Sequence, residues 1–431
     1  MFWLPSILYS PINNWSITKT DLIIIGSGPG GYRAAQYAAQ HGLEVIIFED
    51  RQAGGTCLNE GCIPTKCLVH DSLKGTPFEQ AMLRKEEVSA QLRQGVEMLM
   101  SQPHVTMVKA HARITAPGTV EAETETYSAD NIIIATGSSA KMPPISDIDR
   151  PEVMTSTQLL QLKSLPKRLA VVGAGVIGME FAAIFHRMGV EVEVYEFLKE
   201  CLPMIDKDLA KRLRKKMEKD GIKFNMGYSV ESIASLQADA VLVATGRKPN
   251  LDEDELQALG IEYDRRGIVT DDNMQTSVAG IYAIGDVNGK ALLAHAATFQ
   301  GFRAVNHILQ RADSIRLDIM PSAVFTDPEV ATVGLTDDAC KKEGITCKVH
   351  KGFYRSNGKA LADEATEGLA KIVTDDEGRI IGCHILGAHA ADMGQEIAAL
   401  MNQDVTLTQL ADIVHIHPTL GEIIQDIAIN S

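Results

Sequence analysis

The sequence predicts an α/β fold with two parallel-sheet domains, and three observations predict it. The chain has 431 residues, which corresponds to two or three domains of ordinary size. Its composition, 45% hydrophobic and 23% charged, is typical of a globular protein with a sizeable core. A segment near the amino terminus also recurs without a gap 147 residues later, and each copy alternates strand-like and helix-like patterns.

The repeat carries the spacing of a dinucleotide-binding unit. Residues 22–49 read LIIIGSGPGGYRAAQYAAQHGLEVIIFE, and residues 169–196 read LAVVGAGVIGMEFAAIFHRMGVEVEVYE. Each copy is an apolar strand, a glycine turn, an amphipathic helix, a second strand and a final glutamate, Glu49 or Glu196. The helix amino terminus presents unpaired N–H groups to phosphates, and the acid accepts hydrogen bonds from ribose. We therefore predict two Rossmann-like dinucleotide-binding domains.

The acid of the second copy indicates which nicotinamide cofactor binds there. A carboxylate at Glu196 suits a free ribose 2′-hydroxyl and repels a 2′-phosphate, and residues 197–199 contain no arginine. This favours NAD over NADP. A second pair of similar segments, IIIATG at 132–137 and VLVATG at 241–246, predicts two buried strands that enter turns near the nucleotides.

The segment 54–66, GGTCLNEGCIPTK, is the strongest chemical signal. Cys57 and Cys62 are five residues apart and would point about 140° apart on an ideal helix, so bridging them requires a distorted turn near Gly61 and Pro64. Zinc binding is the competing interpretation, but no downstream Cys/His pair has ligand spacing, and we expect no metal. A further alternative is a pair of structural free thiols. We expect the remaining cysteines to be inert bystanders outside any such constellation: Cys67, Cys201, Cys340, Cys347 and Cys383.

Charge and hydropathy exclude other classes of protein. The formal net charge of −15 argues against a nucleic-acid surface and against docking on anionic lipid. No apolar run approaches 18 residues, so no membrane span is expected. The extension 1–20 lacks a basic start and is interrupted by Pro5 and Pro11, so we expect no targeting role and a cytoplasmic protein. Because that compartment is reducing, a disulfide there would be catalytic.

These motifs together resemble the FAD-dependent pyridine nucleotide–disulfide oxidoreductases of class I, over about residues 20–430. The resemblance implies that the first repeat holds FAD, the second holds NAD, and an α+β interface domain follows, through which the chain forms a homodimer. The implied divisions are the extension 1–20, the FAD domain 21–147, the NAD domain 148–267, a return to the FAD domain at 268–315 and the interface domain 316–431. Within the last domain, residues 381–387 (IGCHILG) resemble a central strand.

The same resemblance implies roles for the reactive residues. Cys57 would be the interchange thiol that meets the substrate, and Cys62 would be the charge-transfer thiol beside the flavin. Lys66 would lie near the flavin and pair with Glu180, since a buried lysine needs a buried partner.

The histidine motif lies at the other end of the chain. In HIHPTLGE, at 415–422, Glu422 follows His417 by five residues and is placed to orient a histidine base. In the family this dyad reaches the cysteines of the partner subunit.

The residues expected to contact each cofactor follow from the two repeats and the family order. For FAD they are Gly26, Gly28, Gly30, Gly31, Glu49, Gly55, Thr56, Lys66, Thr136, Gly137, Gly285, Asp286, Ala294 and His295. For NAD they are Gly173, Gly175, Val176, Ile177, Gly178, Glu196 and Gly246.

Within the family, the chain most resembles members that oxidise dihydrolipoyl groups with NAD⁺. Glu196 favours NAD, the tail 423–431 has no cysteine pair, and both active-site cysteines are present. The implied partners are lipoyl domains or lipoylated carrier proteins of 2-oxoacid dehydrogenase or glycine cleavage complexes. The alternatives are a glutathione-reductase-like enzyme that uses NAD(P)H and a flavoprotein thiol sensor without turnover. Three departures from the family stand out: the amino-terminal extension 1–20, a short stretch at 221–241, and Gln300 where relatives often carry an acid.

Overall fold

A computed structural model describes residues 17–431 and confirms the α/β class. The strands are β1 (Ile17–Ile25), β2 (Val45–Phe48), β3 (Val105–Val108), β4 (Ala112–Ala116), β5 (Thr119–Ala122), β6 (Glu125–Ile134), β7 (Ser138–Ala140), β8 (Val153–Met154), β9 (Arg168–Val172), β10 (Glu191–Glu196), β11 (Lys223–Met226), β12 (Ala240–Val243), β13 (Arg247–Pro249), β14 (Tyr263–Asp264), β15 (Gly267–Ile268), β16 (Ile281–Ala283), β17 (Ser322–Val324), β18 (Glu329–Gly334), β19 (Lys348–Phe353), β20 (Leu369–Thr374) and β21 (Ile380–Gly387).

Helices connect these strands and cover the faces of the sheets. They are α1 (Pro29–Gln40), α2 (Gly55–Glu60), α3 (Cys62–Lys74), α4 (Phe78–Leu99), α5 (Ser156–Leu159), α6 (Val176–Arg187), α7 (Lys207–Asp220), α8 (Glu253–Leu259), α9 (Ala294–Ile308), α10 (Asp337–Glu343), α11 (Gly358–Ala362), α12 (Ala390–Asn402), α13 (Leu407–Ala411) and α14 (Glu422–Ile429). In the described part of the chain, none of them has the length and apolar character needed to cross a membrane.

The two halves of the repeat form the centres of two similar sheets. The first has the order β3-β2-β1-β6-β5-β4, with β16 also on β6, and the second has the order β11-β10-β9-β12-β8. In the first sheet, β1 lies between β2, which leads to the acid, and β6, which precedes Ala-Thr-Gly. In the second sheet, β9 lies in the same way between β10 and β12. All of these pairs are parallel. Strands β2, β9 and β12 are buried almost throughout on both faces, as crossover helices require.

The boundaries differ from the predicted ones at two places. Strand β1 begins at Ile17 and pairs with β6 from its first residue, so the end of the predicted extension 1–20 belongs to the first sheet, while residues 1–16 lie outside the described residues. The predicted NAD domain, 148–267, extends too far. Leu256 of α8 packs with Ile261 and Ile268 in the core of the first sheet, so the chain has already returned there by α8.

Although the stretch 221–241 is short, apolar side chains still cover the flank of the second sheet. After β11, Val230 and Ile233 pack with Val241 in a small apolar cluster, which Ile145 and Ile148 from the linker also contact. The backbone of the linker bridges to residue 232, which closes this side of the domain.

The last region folds as the predicted α+β domain. Its antiparallel sheet has the order β17-β18-β21-β20-β19, with β21 in the centre as the sequence indicated. Helices α12 and α14 supply the apolar side chains that cover it. A buried ion pair joins this sheet to the second domain, since Lys371 Nζ donates to Asp206 Oδ1 and Oδ2 at 2.7 and 2.9 Å.

Candidate active site

One continuous cavity of about 3570 Å³ runs between the three domains. Both glycine turns line it, and so do Cys57, Cys62 and Lys66 from α2 and α3. Of the residues predicted to contact the cofactors, all line this cavity except Gly31 and Gly178. Those two glycines face the backbone of their own turns, where the lack of a side chain lets the helix pack closely on the turn.

The glycines of the first turn have two different roles: two of them leave room for the backbone, and one leaves open space in front of a helix. Gly26 has a φ of +103°, and a Cβ on Gly31 would lie 1.9 Å from the Gly26 carbonyl oxygen. Side chains at these positions are excluded by the fold itself. Gly28 precedes α1, and no described atom lies within 4 Å of a Cβ built there. The free space at a helix amino terminus is what an approaching pyrophosphate requires.

The second turn reproduces this geometry closely. Gly173 has a φ of +106°, and a Cβ on Gly178 would lie 2.0 Å from the Gly173 carbonyl oxygen. At Gly175, which precedes α6, a Cβ would again meet no described atom within 4 Å. The two repeats are therefore structural equivalents with one phosphate-sized opening each.

Each acid at the end of a repeat holds its own glycine turn. Glu49 Oε2 accepts hydrogen bonds from the Ser27 N–H at 3.0 Å and the Ser27 hydroxyl at 2.7 Å. Glu196 accepts from the N–H groups of Ala174 at 2.6 Å and Leu198 at 2.8 Å. Both carboxylates also line the cavity, where their remaining lone pairs are available to ribose hydroxyls.

A break between two helices brings the cysteine pair together. Helix α2 ends at Glu60, Gly61 has φ −143° and ψ −110°, and α3 begins at Cys62. This is the distorted turn that the spacing required. Pro64 lies in the first turn of α3, where the helix needs no N–H donor. Both cysteines are free thiols, and the thiol of Cys57 lies within hydrogen-bonding reach of the Cys62 sulfur.

The two thiols differ in acidity. The hydrogen bond from Cys57 lowers the pKa of Cys62 to about 7; burial opposes this shift and the nearby Lys66 ammonium favours it. The same hydrogen bond, together with burial, raises the pKa of Cys57. Of the two thiols, Cys62 is therefore the one that ionises first.

An ion pair behind the cysteines joins all three domains. Lys66 Nζ donates to Glu180 Oε1 and Oε2 at 3.0 and 2.8 Å, and the Phe325 N–H donates to Glu180 Oε1 at 3.0 Å. The Phe325 ring centroid lies 4.7 Å from Lys66 Nζ. Glu180 is 4% exposed and Lys66 33%, so the carboxylate is buried while the ammonium still reaches the cavity.

A polar cluster that sequence reasoning missed surrounds Asp286. The Ser138 hydroxyl donates to Asp286 Oδ2 at 2.5 Å, and Arg247 Nε donates to the Ser138 hydroxyl at 2.7 Å. Arg247 Nε also lies 3.8 Å from Asp286 Oδ2. Ser138 and Arg247 each follow one of the two Ala-Thr-Gly segments, and this shared position was the available signal.

Gln300 and His295 support the neighbouring backbone from α9. Gln300 Oε1 accepts from the Gly285 N–H at 2.7 Å, so an amide oxygen supplies the acceptor there. His295 Nε2 lies 2.8 Å from the carbonyl oxygen of Pro321, next to Ala294 at the start of α9.

The histidine dyad forms at the surface. His417 Nδ1 lies 2.9 Å from Glu422 Oε1, and the Thr419 N–H donates to Glu422 Oε2 at 2.8 Å. These contacts, the backbone one first, hold the pKa of Glu422 below its ordinary value. The His417 side chain is 80% exposed and is absent from the described lining of the cavity. His415, in contrast, is buried against Glu396, with His415 Nε2 and Glu396 Oε1 2.8 Å apart.

Two of the five cysteines expected to be bystanders lie close to each other. Cys67, Cys201 and Cys383 are buried free thiols, as expected of bystanders. Cys340 and Cys347, however, lie within hydrogen-bonding reach of each other. The sequence spacing of seven residues did not predict this proximity, because it depends on the turn that follows α10.

Comparisons with known proteins agree with this geometry. Residues 20–301 match the family model described as pyridine nucleotide-disulphide oxidoreductase, and residues 320–428 match the dimerisation domain of the same family. The chain is 36% identical to a dihydrolipoyl dehydrogenase of Chlamydia muridarum, over 94% of this chain and 95% of that protein. It is 35% identical to a leghemoglobin reductase of Glycine max, over 95% and 87%. A solved structure of the HOCl-induced flavoprotein disulfide reductase RclA from Escherichia coli, as its Cu(II) complex, superposes with a TM-score of 0.89 at 28% identity, covering 96% of this chain and all of that one.

Proposed function

We propose a specific reaction for this chain, which belongs to the pyridine nucleotide–disulphide oxidoreductases and is therefore an enzyme that uses FAD and NAD(H). The proposed reaction is that of a dihydrolipoamide dehydrogenase: oxidation of dihydrolipoyl groups on lipoyl domains or lipoylated carrier proteins, with reduction of NAD⁺. The observation that carries it is the unequal cysteine pair, in which the pKa of Cys62 is lowered and the pKa of Cys57 is raised. Identity to dihydrolipoyl dehydrogenases along nearly the whole chain supports the substrate class.

The cavity fits two dinucleotides. Gly28 and Gly175 leave open space at the amino termini of α1 and α6, and Glu49 and Glu196 stand at the adjacent strand ends. When bound, FAD would supply the two-electron redox chemistry that links the active-site dithiol to NAD⁺. The protein supplies the alignment of these groups and the protonation state of its thiols.

The chain's residues accomplish the dithiol half of the reaction. With Cys57 and Cys62 as a disulfide, His417 removes a proton from one substrate thiol. The resulting thiolate attacks the Cys57 sulfur, and the bond to Cys62 breaks. Cys62 is the good leaving group of the pair because its thiol has the lower pKa, about 7. The second substrate thiol then attacks the substrate sulfur held by Cys57, which releases the cyclic disulfide and leaves Cys57 as a thiol.

Two neighbouring groups maintain this arrangement. The Lys66 ammonium favours the Cys62 thiolate, and Glu180 fixes the ammonium through two hydrogen bonds. Glu422 orients His417 through Nδ1, which leaves Nε2 free to accept the substrate proton.

We infer that the working site forms between two copies of the chain. His417 is exposed, and the same loop carries Val414 and Ile416, which are 90% and 79% exposed. Large apolar side chains clustered at a surface favour a protein–protein contact, and this loop lies within the matched dimerisation domain. In a twofold dimer, His417 of one subunit would serve Cys57 of the other.

Mixing two inactive variants tests this arrangement. Subunits carrying Cys57→Ser are exchanged with subunits carrying His417→Gln, and dihydrolipoamide oxidation is measured. If the site is shared, each mixed dimer has one site with both residues intact, and random exchange restores about a quarter of wild-type activity. Absence of recovery in a mixture shown to contain mixed dimers would place both residues of a site in one chain.

A substrate panel tests the reaction itself. We expect NAD⁺-dependent oxidation of dihydrolipoamide by the FAD-containing protein, and much slower turnover with NADP⁺ because Glu196 repels a 2′-phosphate. Glutathione disulfide and mercuric ion, each with NADH and NADPH, serve as competing substrates. Preferred reduction of either one, with dihydrolipoamide inert, would overturn the proposed substrate while leaving the family intact.

A further inference from the structure

Cys340 and Cys347 form a second thiol pair in the last domain. Helix α10 ends at Glu343, Gly344 reverses the chain with a φ of +70°, and the Ile345 N–H donates to the Cys340 carbonyl oxygen at 2.9 Å. Strand β19 starts directly after Cys347. The turn therefore returns the chain beside the helix and brings Cys347 close to Cys340, where burial first and the Cys347 thiol second raise the pKa of the Cys340 thiol.

The two thiols differ in access to solvent. Cys340, on the inner side of α10, is fully buried, whereas Cys347, just before the edge strand β19, is half-buried. A reagent in solution can therefore meet Cys347 and cannot meet Cys340 directly. Cys383 is a matched internal control, because it is equally buried in the same domain.

The pair is distinct from the flavin-side dithiol. Neither Cys340 nor Cys347 is among the described residues that line the large cavity. We propose that Cys340 and Cys347 are a second dithiol–disulfide couple of this protein, oxidised through Cys347 by low-molecular-weight disulfides. This couple does not depend on the reaction proposed for the flavin site.

The oxidation proceeds by two thiol–disulfide exchanges. The Cys347 thiolate attacks one sulfur of the small disulfide, a mixed disulfide forms, and one small thiolate leaves. The Cys340 thiol then attacks the Cys347 sulfur, and the second small thiolate leaves with the Cys340 proton as a thiol. Overall, two protein thiols are oxidised to one disulfide and the small disulfide is reduced to two thiols. A dithiol reagent reverses both steps.

Peptide mapping of the full-length, FAD-containing protein tests the couple. The protein is reduced, freed of reductant, incubated with glutathione disulfide, blocked with iodoacetamide and digested with trypsin without reduction. Cleavage at lysine and arginine separates Cys340, in peptide 317–341, from Cys347, in peptide 343–348. We expect these two peptides to be joined by a disulfide that disappears after dithiothreitol. Free peptides, or a glutathione adduct that persists on Cys347 in the wild-type protein, would overturn the proposal.

Two single variants test the order of events. In Cys340→Ala the second step is blocked, so glutathione should remain on Cys347. In Cys347→Ala the buried Cys340 should remain unmodified, as Cys383 does in every sample. Modification of Cys340 in that variant would refute entry through Cys347. Dihydrolipoamide oxidation by Cys347→Ala should equal that of the wild type, so failure of this couple and failure of the flavin-site proposal are separable.

Discussion

Replacing Cys57 by alanine or by serine tests the origin of the low Cys62 pKa. Both variants lack the disulfide, so Cys62 remains a free thiol in each. A serine hydroxyl can still donate a hydrogen bond to the Cys62 sulfur, whereas an alanine methyl group cannot. The comparison therefore isolates one hydrogen bond while Lys66 stays in place.

The expected difference follows from the energy of that bond. A hydrogen bond to a charged group contributes about 1.5–3 kcal/mol, and one pKa unit corresponds to about 1.4 kcal/mol. The pKa of Cys62 should therefore be about one to two units higher in Cys57→Ala than in Cys57→Ser. Since the wild-type value is about 7, the thiolate of the alanine variant should predominate only in alkaline solution.

The assay is the pH dependence of Cys62 alkylation. Iodoacetamide reacts with the thiolate, so the rate of labelling, read on the peptide that contains Cys62, rises with pH through the pKa. Burial and FAD content must be equal in the two variants, which circular dichroism and flavin absorbance check. Coincident pH profiles for the alanine and serine variants would refute the hydrogen bond as the main cause.

The remaining predictions concern the nucleotide turns, the base and the ion pair. Gly178→Ala places a Cβ 2.0 Å from the Gly173 carbonyl oxygen and should lower the thermal unfolding midpoint. Gly175→Ala should fold normally and raise the KM for NADH, because its Cβ occupies only the open space at the turn. Equal unfolding midpoints for the two variants would contradict this difference. His417→Gln should slow dihydrolipoamide oxidation about 10²–10⁴-fold with little effect on NADH oxidation by an artificial acceptor; equal losses would argue against a base. Glu180→Gln should destabilise the protein by about 1–3 kcal/mol, because the Lys66 ammonium loses its buried carboxylate partner, and an unchanged unfolding midpoint would show that the pair is dispensable.

Local backbone requirements explain which features the sequence predicted well. The glycine positions depend on contacts between residues only a few positions apart, such as Gly31 and Gly26. The spacing of the motif therefore predicts them directly. The break between α2 and α3 is equally local, since Gly61 and the five-residue cysteine spacing require it. The Lys66–Glu180 contact spans two domains and was expected from the family resemblance, because spacing alone does not report a contact over 114 residues.

The sequence alone determined the two nucleotide units, their order and the segment that carries the redox cysteines. The tertiary structure decided which distant segments meet. It returned α8 to the first sheet, brought Ser138 and Arg247 to Asp286, and left His417 at the surface beside exposed apolar residues. It also brought the free thiols of Cys340 and Cys347 close together. The physical reason is that the shape of a glycine turn depends on the backbone φ angle and on residues close by in the sequence. Apolar, charged and thiol side chains instead contact residues that are distant in the sequence, and only the packing of the domains decides which ones.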